Sequence, residues 1–108
     1  MGKVKITVLK RHFDESLVEE YACDGFGKCH LHTEGQVFYA DWRKPEGLCD
    51  DAWLTIHQYV FALTHGGGNF YQGKWINRPD VAICCCNDGL RPVVFKVERV
   101  EEEDKTER

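Results

Sequence analysis

The chain has 108 residues, with 14 Lys and Arg against 18 Asp and Glu and a formal net charge of −4. That length suits one domain with one core. The acidic balance lacks the dense positive field that a phosphate backbone requires, which argues against nucleic acid as a partner. No apolar run approaches the ~18–20 residues needed to cross a bilayer, so no membrane association is expected. The first ten residues carry lysines every second or third position and lack the unbroken apolar core of a secretory signal. Ile6 stands where a myristoylation signal wants Ser or Thr. The expected address is cytoplasmic, where six cysteines suit thiols or metal ligands better than disulfides.

Lys3 to Arg11 alternates, with Val4, Ile6 and Val8 on one face and Lys3, Lys5 and Thr7 on the other, which predicts a half-buried strand. Asp14 is placed to cap a short helix through Tyr21, with Leu17, Val18 and Tyr21 as its apolar stripe. Ala22 to Gly35 reads as a loop, broken by Gly25, Gly27 and Gly35 and holding Cys23, Cys29, His30 and His32. Gln36 to Trp42 predicts a second strand, with Phe38, Ala40 and Trp42 on its core face.

Cys49 to His65 is the strongest helical stretch. Ala52, Trp53, Ile56, Tyr59, Val60 and Leu63 recur at three- and four-residue steps. Asp50 and Asp51 suit its first turn, His65 its last, and Gly66 its stop. Gly66 to Pro79 is a loop rich in glycine and aromatics. Val81 to Cys86 and Pro92 to Val100 predict two strands joined by a turn at 87–91, with Pro92 tolerated at a strand start. The charged tail 101–108 is expected to be disordered, leaving 1–100 as a single domain. These elements predict an α+β fold, a small antiparallel sheet or half-open barrel with one main helix packed across it.

The cysteines carry the most chemistry. Strand parity puts Cys84 and Cys86 on one side, ~7 Å apart at Cα, and Cys85 on the other with Val81 and Ile83. The Val81/Ile83/Cys85 face reads as core, which makes Cys85 a small buried hydrophobe. Cys29 lies beside His30 and His32, and four such ligands would hold zinc or an iron–sulfur cluster. No paired C-x-x-C knuckles support that reading, and plain packing of the thiols stands beside it. Cys49 sits at a helix start, where backbone N–H groups favour a thiolate, although Asp50 and Asp51 oppose it.

His57 reads as a partly buried, hydrogen-bonded residue at the edge of the helix's apolar face. Gly68 to Lys74 spells G-x-x-x-x-G-K but follows a helix and has Trp75 where a phosphate loop needs Ser or Thr. Phe70, Tyr71 and Trp75, with Lys74 and Arg78, suit either the roof of a ligand pocket, an interface between copies of the chain, or simple packing. Arg91 in the 87–91 turn can bind a ligand carboxylate or pair with Asp88.

Four stretches carry a resemblance: K-V-K-I-T-V-L-K-R, G-K-C-H-L-H-T-E-G-Q-V-F, K-P-E-G-L-C-D-D-A-W and C-C-N-D-G-L-R-P-V-V-F-K-V-E-R. Together they resemble a family of short, uncharacterised prokaryotic proteins common in anaerobes, over most of Lys3 to Arg99. The resemblance implies cysteines at Cys29, Cys49, Cys85 and Cys86, with Cys23 and Cys84 as additions and His30 replacing a more usual proline. It implies a free-standing cytosolic domain and no established activity. The leading expectation is a thiol site at Cys29, Cys49 and Cys86, with Cys85 as a further candidate, for metal binding or redox chemistry. The alternative is a ligand or interaction module built on the 66–79 loop with Tyr71, Trp75 and Arg91.

Overall fold

The computed structural model describes residues 3–100, so the tail at 101–108 lies outside the described residues. Four strands, β1 (Lys3–Arg11), β2 (Val37–Ala40), β3 (Val81–Cys85) and β4 (Val93–Val100), form one open sheet. Its order is β2-β1-β4-β3, and every neighbouring pair is antiparallel. The two central strands are the ones with the cleanest alternation. Val4, Ile6 and Val8 of β1 and Val93, Phe95 and Val97 of β4 are each at most 1 % exposed. Burying side chains of this size stabilises by about 1.5–3 kcal/mol apiece.

The main helix, α2 (Asp50–Thr64), lies across this face and packs on β4, β3 and β1. Ala52, Ile56, Val60 and Leu63 are its buried stripe. Cys49 is its N-cap and His65 its C-cap, so the expected boundaries hold to within one residue. Leu48, before the cap, is core, and Trp53, in the next turn, packs against the same cluster, as in a hydrophobic staple. Gly66 follows at φ +92°, a conformation that favours glycine as the residue ending the helix.

Three expectations fail in instructive ways. The short helix α1 (Glu15–Tyr21) forms, with Asp14 Oδ1 accepting from the Leu17 N–H at 3.1 Å. It buries none of its residues, however, and Tyr21 is 71 % exposed. Two turns and a cap hold it locally, and its apolar stripe enters no groove. Strand β2 ends at Ala40, so Trp42 leaves the core face and is exposed.

The third correction concerns β3. Ala82 lies opposite Val97 and Cys84 opposite Phe95, and directly paired residues share a face. The core face of β3 is therefore Ala82 and Cys84, while Ile83 and Cys85 are exposed. Cys85 is not a buried hydrophobe. Val81 is buried at the strand's start beside the preceding loop.

One side chain joins the end of α2, the loop after it and the start of β3. Arg99 donates from Nε and Nη2 to the Leu63 carbonyl at 3.2 and 3.0 Å. Nη2 also donates to the Gly67 carbonyl, and Nη1 pairs with Asp80 Oδ1 at 2.6 Å. The backbone reinforces the arrangement, with Asp80 N–H donating to Gly68 O at 3.0 Å and Arg99 N–H to Asp80 O at 3.1 Å. A Cβ on Gly68 would run into the Asp80 carboxylate. Replacing Arg99 with Ala strips several charge-assisted bonds from carbonyls at a helix end. Urea denaturation of Arg99→Ala is expected to show a loss of about 2–3 kcal/mol. An unchanged midpoint would contradict the clamp.

Candidate functional site

Two regions gather chemistry-bearing residues, one at each end of α2. At the C-terminal end, the segment from Gly66 to Asp80 encloses a cleft of about 270 Å³. It is lined by Phe70, Ile76, Pro79 and Val81 on the apolar side and by Asn69, Asn77 and Arg78 on the polar side. Phe70 packs on the core and meets Tyr59 of α2 edge to face, with ring centroids 5.4 Å apart. Tyr71 and Trp75 instead stack on each other at 4.0 Å and remain exposed. Simple packing thus accounts for Phe70 alone.

The backbone of this segment is strained. Among the described residues, Tyr71, Gln72 and Asp80 are the non-glycine residues with positive φ, at 54°, 57° and 67°. Left-handed backbone costs an L-residue roughly 1–2 kcal/mol. A short 3₁₀ turn (Phe70–Gly73) bends through two of them. The G-x-x-x-x-G-K letters therefore lie on a kinked turn that opens no α-helix. The Tyr59 and Tyr71 hydroxyls are 3.3 Å apart and tie the turn to α2. That hydrogen bond, burial and the neighbouring Tyr71, Cys84 and Cys85 push the Tyr59 hydroxyl up to about 12.

At the N-terminal end, His32 is the organising residue, 3 % exposed. Its Nε2 accepts from the Cys49 N–H at 3.2 Å. The other nitrogen, Nδ1, is therefore the protonated one and donates to Gln36 Oε1 at 3.3 Å. Edge-to-face contacts with Phe38 and Phe95 fix the ring. The sequence groups His32 with Cys29 and His30 as a soft metal ligand. Both of its nitrogens are already committed, and it serves as the acceptor for the N-cap residue's own N–H. Burial lowers its pKa, and the Gln36 bond only partly offsets that.

Cys29, Cys49 and Cys86 belong to segments tied to this end. Asn87, immediately after Cys86, donates from Nδ2 to Asp51 O at 3.3 Å and accepts at Oδ1 from Thr55 Oγ1 at 3.0 Å. The hairpin is thereby fastened to the first turns of α2, on the side of Cys49. Arg11 is paired with Val93 on β4 and donates from Nη1 to the Cys29 carbonyl at 2.9 Å. Val93 in turn donates its N–H to Cys86 Sγ at 3.4 Å. Cys29, Cys49 and Cys86 all pack at the margin of the core. Cys49 makes no side-chain capping bond to the helix it begins.

All six cysteines are free, with Cys23 and Cys85 exposed. Among the described residues no group of three or more His, Cys, Asp or Glu is placed to hold a metal ion. Burial, and secondarily the neighbouring Cys85, push the Cys84 thiol up to about 12, so it is protonated near neutrality.

Arg91 serves the fold. It donates from Nε to Asp88 Oδ2 at 3.2 Å and from Nη1 to Gly27 O at 3.1 Å, and its guanidinium lies 4.2 Å from the Phe26 ring centroid. Burial raises the Asp88 pKa, but the Leu90 and Arg91 N–H groups and the guanidinium outweigh it, and the net shift is downward. His57 is exposed and meets Trp53 edge to face at 5.4 Å, where the sequence predicts a partly buried, hydrogen-bonded histidine. His65 stacks on Phe61 at 4.2 Å and bonds the Phe61 carbonyl from Nδ1 at 2.9 Å, as a residue closing a helix. The sequence gives little signal for the two residues that position these regions, Arg99 and Asn87, because each works through distant backbone carbonyls.

Two measurements check this geometry. In native-state alkylation read by mass spectrometry, Cys23 and Cys85 are expected to label first and Cys84 last. Equal labelling of Cys84 and Cys85 would contradict the orientation of β3. An NMR titration is expected to place the His32 midpoint below the ordinary 6.5. The neutral ring's contribution to stability is then complete above that ordinary value. It is lost as pH falls through the window down to the lowered midpoint, because the unfolded chain takes up the proton first. His32→Gln is expected to remove this pH dependence.

No protein-family model, curated protein or solved structure matches this chain, so no relative assigns a role to any of these residues.

Proposed function

We propose that this protein is a small-ligand-binding module whose site is the cleft held by residues 66–81. One observation carries the reading. Every non-glycine residue of left-handed backbone among those described falls in the segment that encloses the cleft. Strain of this kind persists where surrounding structure over-determines it, and it concentrates at ligand sites. Here the over-determination comes from the Arg99 clamp and the Tyr59–Tyr71 bond. Tyr71 and Trp75, in the same segment though outside the cleft lining, stack on each other and stay exposed, a flat aromatic surface of a kind that apolar ligands use. The reading favours a cytosolic protein acting without nucleic acid, in line with the charge and the family resemblance. A monomer is its natural state, whereas a homo-oligomer would fit an interface formed by Tyr71 and Trp75.

The second reading is a thiol site at Cys29, Cys49 and Cys86, with the exposed Cys85 accessible from the other face. It is favoured by the hydrogen bonds through Arg11, His32 and Asn87 that draw these segments to one end of α2. Zinc or an iron–sulfur cluster does not fit the described residues as placed, since among them no three ligands are gathered. Thiol–disulfide exchange needs only two sulfurs at a time. A thiolate attacks a small-molecule disulfide, one sulfur–sulfur bond forms and one breaks, and the displaced sulfur leaves as thiolate.

A fragment screen by ¹⁵N chemical-shift mapping tests the first reading. Hits are expected to move amides within 68–81, and Gln72→Gly is expected to raise stability by about 1 kcal/mol while weakening them. Hits scattered elsewhere, or none, would count against it. Elemental analysis after anaerobic purification, with mass spectrometry after exposure to glutathione disulfide, decides the second. Mixed disulfides confined to Cys23 and Cys85 would exclude it.

A further inference from the structure

We infer that the cleft takes a small organic carboxylate, with the carboxylate on Arg78 and its apolar body against Phe70, Ile76 and Val81; this rests on the ligand-site reading above. The charge pattern is the first support. The chain carries a net −4, yet residues 66–79 hold Lys74 and Arg78 and no Asp or Glu. The nearest acid in sequence, Asp80, is neutralised by Arg99 at 2.6 Å. Glu98, opposite the cleft-lining Val81, is likewise paired, with Lys96 at 3.3 Å, so the segment's own charge is positive on an acidic protein, which favours an anion there.

The partners of the arginines give the second support. Arg11 is spent on the Cys29 carbonyl, Arg43 on Asp41, Arg91 on Asp88 and Gly27, and Arg99 on its clamp. Among the described arginines only Arg78 has neither a hydrogen bond nor an ion pair, and it is the one lining the cleft. The side-chain amides of Asn69 and Asn77, on the same wall, are likewise uncommitted among the described residues. A planar guanidinium presents a fork that matches a carboxylate, and an adjacent amide supplies a further donor.

Size and charge count narrow the class. A volume of about 270 Å³ falls just below the ~300–1,000 Å³ of drug-sized pockets, which admits a single ring or a short chain rather than a nucleotide. One cation lines the cleft, which balances a monoanion. A phosphate dianion would call for a second cation or a row of backbone N–H groups. Phe70, Ile76, Pro79 and Val81 provide an apolar wall that an inorganic anion cannot use.

Benzoate, benzamide and inorganic phosphate, titrated into ¹⁵N-labelled protein, test the assignment. Benzoate is expected to shift amides of 68–81 saturably, with benzamide of the same shape at least about tenfold weaker and phosphate without effect. Arg78→Gln, an exposed substitution that leaves the clamp intact, is expected to reduce benzoate to the level of benzamide. Equal binding of benzoate and benzamide in the cleft would overturn the carboxylate assignment while leaving the ligand-site reading standing. A benzoate preference that survives Arg78→Gln, or binding of phosphate in place of benzoate, would overturn it too. Absence of any shift with benzoate ends this inference, and the fragment screen then decides the broader reading separately.

Discussion

The guanidinium of Arg99 is the interaction on which the candidate site depends. A helix end leaves carbonyls without intrahelical partners, and Arg99 supplies donors to the Leu63 carbonyl at 3.0 and 3.2 Å. The same group holds Gly67 and Asp80. The end of α2 with the loop that follows it, and the residue that precedes β3, thus share one planar cation carried by β4. Without it, a glycine-rich loop of this length would have little to oppose its conformational entropy. With it, both ends of the loop are fixed to the core. The Tyr59–Tyr71 hydrogen bond fixes the middle.

That arrangement separates two kinds of order at the ends of α2. At its start, the buried imidazole of His32 receives the Cys49 N–H, and Asn87 bridges to Asp51 and Thr55. These groups are paired with one another, and of the polar atoms around them Arg11 Nε is buried without a partner. At the other end the backbone is strained while Arg78, Asn69 and Asn77 face the cleft with their polar groups uncommitted among the described residues. A region whose polar groups are satisfied internally stabilises a fold. One whose polar groups are held in place yet uncommitted suits a ligand.

Much of the fold was legible because two signals are local. Alternation marks β1 and β4, and a three- and four-residue repeat marks α2, and each appears close to where its period puts it. Parity on β3 misled because both faces of V-A-I-C-C-C look apolar, so hydrophobicity could not choose between them. Pairing chooses. Since Phe95 faces the core, Cys84 opposite it must do so as well, and Cys85 turns outward. The register across the hairpin, counted back from Asn87 to Arg91, is the signal that would have found this. Arg91 was legible as a residue of consequence, but its pairing with Asp88 and Gly27 engages its guanidinium within the fold. Arg78, one loop earlier, is the arginine with no hydrogen bond or ion pair among the described residues, and only the partners of the other described arginines reveal that.

The Arg99 clamp and the Tyr59–Tyr71 bond require residues 66–80 to be rigid and preorganised. Backbone ¹⁵N relaxation tests it most directly, because order on the ps–ns scale is what the clamp confers. Order parameters near ~0.85 from Gly67 to Asp80, matching those of α2, are the expected result. Values below about 0.6 through Tyr71 and Gln72 would mean that the left-handed backbone is one of many conformations, and the account of a built site would be wrong.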